Sequence, residues 1–187
     1  MATHASSSWG PPRRRRHRLL FWALAAAALW LGWPVVRPAL EIPLYGLRLA
    51  TMPAPARLPV PVEGVRPRDL RDTWNAPRAD GRRHEGIDIF ARRNTAVLSA
   101  TEGIVTRIGP NTLGGNTVWV MGPGRQMHYY AHLERYADLR PGQRIQAGMP
   151  LGYVGNSGNA LGTPTHLHYG IYAAGGAINP YPLLAGR

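Results

Sequence analysis

The sequence predicts an all-β domain preceded by one N-terminal membrane-spanning helix. Three observations predict it. From about residue 63 onward, short runs of β-branched and aromatic residues alternate with turn signals. Glycine (22) and proline (18) are frequent among the 187 residues, as many short strands joined by turns require. A single uncharged apolar run follows directly on a cluster of arginines.

Residues 1–18 form a polar, basic tail ending in Arg13–Arg16, His17 and Arg18. Leu19 to Val36 follows without a charge and just reaches the ~20 residues (range about 17–25) of a spanning helix. Trp30 and Trp33 near its end fit an interfacial aromatic belt, and the arginines hold the N-terminus in the cytoplasm. Residues 19–36 therefore read as a signal anchor in the bacterial cytoplasmic membrane, with everything after them exported. The competing reading is a cleaved signal peptide; the run is long for one, and no clear A-x-A site follows it. Residues 37–62 carry Pro38, Pro43, Pro53, Pro55, Pro59 and Pro61 and read as an extended, semi-rigid linker.

Residues 63–187 read as one domain. Its strand candidates are Gly86–Phe90, Ala96–Ser99, Gly103–Ile108, Thr117–Met121, Gln126–His132, Leu151–Val154 and His166–Tyr172. Gly122-Pro123-Gly124-Arg125 suggests a hairpin, and Leu133–Asp138 a helical turn.

The formal charge is +12 and every basic residue is Arg. Five of these precede the apolar run, and removing them leaves +7, so the exported part is less basic than the total suggests. Without cysteine there are no disulfides, no thiolate nucleophile and no cysteine-bound zinc; a metal site here must use His and carboxylates.

Five of the seven histidines fall in three short exported segments, and His4 and His17 precede the anchor. In Arg83-His84-Glu85-Gly86-Ile87-Asp88, the alternating Ile87 and Ile89 argue for strand. Four residues of straight strand span ~13 Å, while ligands of one zinc ion each lie ~2 Å from it. If His84 and Asp88 share a metal, the chain bends between them, and Gly86 is the residue able to bend. The plainer alternative is a surface His beside a surface Asp. His166 and His168, two apart in a strand, face one side and can meet one site; the alternative is a pair of exposed histidines. His128, Tyr130 and His132 are expected on one strand face, His132 at its functional end and His128 as a surface or supporting residue. His84-Glu85 does not open a H-E-x-x-H motif, because Asp88 stands where the second His is needed.

In this order, H-x-x-x-D, then Y-x-H-L, then H-x-H resembles the lysostaphin/LytM family of zinc peptidoglycan endopeptidases. The resemblance runs from about Glu63 to Leu184. It includes Gly114-Gly115-Asn116, the segment Gly142–Gly148, Leu151–Gly155, Gly158-Asn159 and Asn179-Pro180. It implies antiparallel sheets forming a groove, built on a duplicated hybrid motif, with one Zn2+ per chain on the groove floor. It implies His84, Asp88 and His168 as the zinc ligands, and His132 and His166 as catalytic histidines that do not bind metal. Arg78, upstream of the first ligand, is the candidate for holding the transition state. Asn94-Thr95 replaces the commoner Gly-Thr pair, a change expected to alter a turn rather than the chemistry. The groove is expected to accept an extended peptide among Tyr129, Tyr130, Tyr153, Tyr169 and Tyr172. The implied substrate is the stem or cross-link peptide of peptidoglycan, and no protein partner is identified.

Two imidazoles and one carboxylate leave zinc a fourth position for water, as a catalytic site requires. One rival is an inactive LytM-like module that activates a cell-wall amidase; such modules typically lack site residues that are all present here. Gly148-Met149-Pro150-Leu151-Gly152 also resembles the turn of lipoyl or biotinyl carriers, but no Lys exists to carry either group. A phosphohistidine carrier would be cytoplasmic, against the anchor. A nucleic-acid partner would rest on charge alone and is not expected.

Overall fold

A computed structural model describes residues 13–186. The first twelve residues of the expected tail, His4 among them, lie outside it. The chain divides into two compact units, residues 1–41 and 42–187. Helix α1 (Arg13–Thr51) contains the whole run Leu19–Val36. Its large apolar side chains, including Phe21, Trp22, Leu24, Trp30 and Leu31, are exposed. Among the described residues no helix is long and apolar enough to cross a membrane; the side chain of Val35, inside the expected span, is not among them.

The linker reading of residues 37–62 needs correction. Residues 37–51 are helical despite Pro38 and Pro43. A proline ring removes one hydrogen bond locally, whereas the Ala, Leu, Arg and Glu residues around these two favour helix. Burial then fixes the last turns: Tyr45 and Leu49, four apart on one face, pack with Ile42, Met52, Ile104 and Met121. The Tyr45 hydroxyl donates to Glu102 at 2.8 Å. Residues 52–62 are not free either. Leu58 N–H donates to the Leu183 carbonyl (3.0 Å), Leu98 N–H to Pro61 (3.0 Å), and Val62 bridges Val97. This compact unit begins at Ile42, not at residue 63.

The remaining elements are β1 (Ile87–Phe90), β2 (Ala96–Leu98), β3 (Gly103–Asn111), β4 (Gly115–Met121), β5 (Met127–Tyr136), β6 (Arg144–Ile145), β7 (Pro150–Val154), β8 (His166–Ala173), β9 (Gly176–Ile178) and the short helix α2 (Tyr181–Ala185). All strand pairings are antiparallel. The sheet runs β1-β8-β5-β4-β3-β6, with β7 joining β5 to β2 and β9 flanking β8. The seven expected strands are present, and residues 122–125 do connect the β4–β5 hairpin. The helical turn expected at Leu133–Asp138 is instead the end of β5, because Leu133, Arg135 and Tyr136 pair with β7. Asn94 takes a left-handed conformation (φ 66°), one that Asn tolerates better than most residues.

The core includes Ile87, Ile89, Val97, Val118, Val120, Tyr130, Leu133, Leu151, Leu167, Tyr169 and Ile171. β1, β8 and β5 are adjacent, so side chains far apart in sequence come together on them.

Candidate metal centre

Asp88 on β1 stands directly opposite His168 on β8, and Phe90 opposite His166; His168 in turn faces Ala131 on β5. Cross-strand neighbours of this kind have Cβ atoms ~5 Å apart. His84 lies just before β1, in a bend closed by His84 N–H to the Ala76 carbonyl (3.0 Å) and Asn75 N–H to the His84 carbonyl (2.9 Å). Gly86 allows that bend to pack: a Cβ there would stand 2.5 Å from the Tyr169 carbonyl oxygen and 2.8 Å from the His168 ring.

His84 Nε2, His168 Nδ1 and Asp88 Oδ1 form a triangle with edges of 2.8, 3.0 and 3.3 Å. They are the metal-capable group among the described residues. His84 Nδ1 lies 2.6 Å from the Thr73 carbonyl. A carbonyl only accepts, so Nδ1 carries the proton and Nε2 turns a lone pair toward the triangle. Lone pairs packed this closely repel unless a cation or protons stand between them. A tetrahedral zinc ion with bonds of 2.0–2.1 Å has ligand edges of about 3.4 Å, close to those found, so the donor set fits zinc.

Thr73, which the sequence did not single out, holds two of these groups. Its carbonyl takes the His84 proton, and its hydroxyl accepts from Asp88 N–H at 2.9 Å. Arg78 pairs with Asp88 Oδ2 and leaves Oδ1 to the triangle. Burial alone would push the Asp88 carboxyl up; the His168 and His84 imidazoles and the Arg78 guanidinium beside it outweigh that and hold Asp88 well below the usual carboxylate range.

His132 and His166 flank the triangle. Their rings are 5.0 Å apart, and His132 lies 5.9 Å from the His168 ring. His166 Nε2 is 3.9 Å from Asp88 Oδ1. Each Nδ1 donates to a carbonyl, His132 to Ser157 and His166 to Pro164, both at 2.8 Å, so each Nε2 is free to accept. Burial lowers the His132 pKa to about 4, so its ring is neutral at pH 7.

Strict alternation predicts His132 on the face of His128 and Tyr130, but its ring lies instead with His166 and His168. The β4–β5 register shifts between Asn116 and Val118, and His132 has φ 63°. This bulge turns its side chain to the opposite face. Ser157, its hydrogen-bond partner, is fixed by Asn116 N–H to Ser157 Oγ (2.9 Å) and by Ser157 Oγ to the Leu133 carbonyl (2.8 Å). Gly115 (φ 60°) allows the contact, since a Cβ there would lie 2.4 Å from the Ser157–Gly158 backbone.

His128 is a supporting residue and not a surface one: it is fully buried, with Nδ1 2.7 Å from the Tyr169 hydroxyl. Of the five tyrosines expected in the groove, Tyr130 and Tyr169 belong to the core, and Tyr153 lies under the Arg135 guanidinium at 3.4 Å. Tyr129 and Tyr172 do gather near the site. Tyr129 lies 5.8 Å from the His168 ring, and both pack on Trp119.

A family model described as peptidase family M23 matches residues 82–180, from just before His84 to just after β9. The L-Ala–D-Glu endopeptidase of Bacillus subtilis is 39% identical over 126 residues, covering 61% of this chain and 39% of that protein. The peptidoglycan DD-endopeptidase ShyC of Vibrio cholerae is 31% identical over 97 residues, covering 52% of this chain and 22% of that protein. The chain thus spans well under half the length of these relatives. Among solved structures, Helicobacter pylori Csd3 superposes with a TM-score of 0.56 at 27% identity, over 68% of this chain and 34% of Csd3. The lysostaphin catalytic domain of Staphylococcus simulans, at 24% identity and a TM-score of 0.55, shares the fold over 62% of this chain and 92% of that domain. With the family match covering over half of its length, the chain belongs to peptidase family M23.

Proposed function

We propose that this protein is a zinc-dependent endopeptidase that hydrolyses stem or cross-link peptides of bacterial peptidoglycan. The observation that carries the reading is the triangle of His84, Asp88 and His168 with two further histidines beside it, each presenting a free Nε2. The names of the relatives, an L-Ala–D-Glu endopeptidase and a DD-endopeptidase, support a substrate in the peptide part of the wall.

His84, Asp88 and His168 would hold the ion. When bound, zinc supplies Lewis acidity, polarising the scissile carbonyl and acidifying water toward a pKa of ~7. The chain supplies the rest. His132 and His166 can each accept the proton of the attacking water at Nε2. Once charged, the same nitrogen donates to the developing oxyanion or to the departing amine. The carbonyls of Ser157 and Pro164 keep both rings aimed throughout. Arg78 acts through Asp88, holding Oδ2, rather than on the substrate directly.

The anchor reading is part of the same proposal. The exposed side chains of Phe21, Trp22, Leu24, Trp30 and Leu31 support a membrane-held helix, with the domain beside the wall polymer on the extracytoplasmic side. Digestion of cross-linked muropeptides by zinc-loaded protein, read by mass spectrometry, tests the activity. New peptide ends are expected. Their absence, together with stimulation of an added cell-wall amidase, would replace the enzyme with the activator reading.

A further inference from the structure

A cavity of about 640 Å³ opens beside Asp88, lined by Gly64, Val65, Asp69, Leu70, Arg71, Ile89, Phe90 and Pro164. Its size falls in the usual range of ligand pockets. It abuts the candidate catalytic histidines, because Phe90 packs on the His166 ring with centroids 5.3 Å apart. A peptide crossing the site on this side therefore runs into it.

Three charged residues line this cavity, and two are already neutralised. Asp69 takes Arg66 Nε and a second guanidinium nitrogen on its two oxygens, at 2.9 and 3.2 Å. Asp88 is held by Arg78 and by the imidazoles. Arg71 is different: among the described residues its exposed guanidinium takes no hydrogen bond or ion pair. The cavity thus offers an apolar floor from Leu70, Phe90 and Pro164 and one uncommitted planar cation on its wall. That combination suits a short aliphatic stem ending in a carboxylate, which a guanidinium grips through two parallel hydrogen bonds.

We infer that Arg71 makes this cavity a specificity subsite for a substrate residue with a free carboxylate, next to the scissile bond. The inference rests on the peptidase reading above. It predicts discrimination against peptides in which the same position is a carboxamide or glycine.

The test uses two peptides alike except that one carries D-Glu and the other D-Gln after L-Ala. Their affinities are measured by calorimetry on the zinc-loaded full chain with His132→Ala, which slows turnover. The same background is then combined with Arg71→Ala and with Arg71→Lys. The carboxylate peptide is expected to bind about ten- to a hundredfold tighter than the carboxamide, the scale of one charge-assisted contact. Arg71→Ala should erase the preference and Arg71→Lys should keep part of it. Arg71 is exposed, so neither change threatens the fold. Equal affinities in the arginine protein, or an unchanged preference in Arg71→Ala, overturn the inference. A preference that depends on Arg71, in a protein whose unsubstituted form cleaves neither peptide, overturns the peptidase reading alone.

Discussion

Asp88 and His168 are direct partners across the β1–β8 pairing, and their facing atoms, Oδ1 and Nδ1, lie 3.3 Å apart. Two residues eighty apart in sequence are thus positioned by ladder hydrogen bonds rather than by a loop. His84 closes the triangle from a bend fixed by Thr73. This division separates residues that would hold a metal from residues that would move protons, and the two sets should respond differently to mutation.

Asp88→Ala or His168→Ala should abolish zinc retention, read by elemental mass spectrometry after dialysis. His132→Ala and His166→Ala should keep stoichiometric zinc while kcat/KM falls roughly a hundredfold to ten-thousandfold, the scale of general acid–base catalysis. Loss of zinc in the second pair would show that the roles are wrongly divided.

Gly86→Ala should damage both fold and site. The added methyl meets the Tyr169 carbonyl at 2.5 Å and the His168 ring at 2.8 Å. Backbone cannot give way cheaply, so a cost of about 1–3 kcal/mol is expected from overpacking. Urea unfolding gives the stability, and zinc titration should show weaker binding because the His168 ring is displaced.

Acid should destabilise the domain through His128. Burial lowers its pKa from 6.5 to about 4, so between those values the unfolded chain binds a proton that the folded chain refuses. Stability is therefore full above the unfolded value and falls as pH drops toward 4, by about 3 kcal/mol in all. His128→Asn should show a shallower decline over that window in urea titrations at pH 7, 6 and 5. Parallel declines in the two proteins would contradict the assignment.

Leu49→Ala should cost roughly 2–5 kcal/mol, since Leu49 is fully buried against Ile104 and Tyr45. Leu44→Ala, at an exposed position of the same helix, should change stability by no more than ~0.5 kcal/mol. A free linker would make the two substitutions equivalent, so their difference in thermal unfolding measures the docking of residues 42–51.

What the sequence disclosed follows physical periodicity. Ile87 and Ile89, or Val118 and Val120, announce strands because burial repeats along them. His84, Asp88, His132, His166 and His168 were legible because their order and spacing match a known motif, and they do converge. What stayed hidden depends on backbone groups and long-range contacts. Thr73, Ser157 and Pro164 orient the imidazoles through main-chain carbonyls, and any residue type has one. The bulge that turns His132 over comes from a register shift against β4, and period-two reasoning therefore assigned it the wrong face. The helix persists through Pro38 and Pro43 to Thr51, where Tyr45 and Leu49 meet partners more than fifty residues away.

The left-handed backbone of His132 carries a last consequence. A β-carbon residue at φ 63° sits off its preferred conformation by about 1–2 kcal/mol and relaxes when its restraints are removed. Here the restraints are the Gly114 carbonyl, 2.7 Å from His132 N–H, and Ser157. Both sit on the segments that interlock at Gly115. The imidazole is a cocked lever whose catch lies outside the reacting centre, so anything that pries those two segments apart would disarm the proposed hydrolysis while sparing the three side chains that would hold the ion.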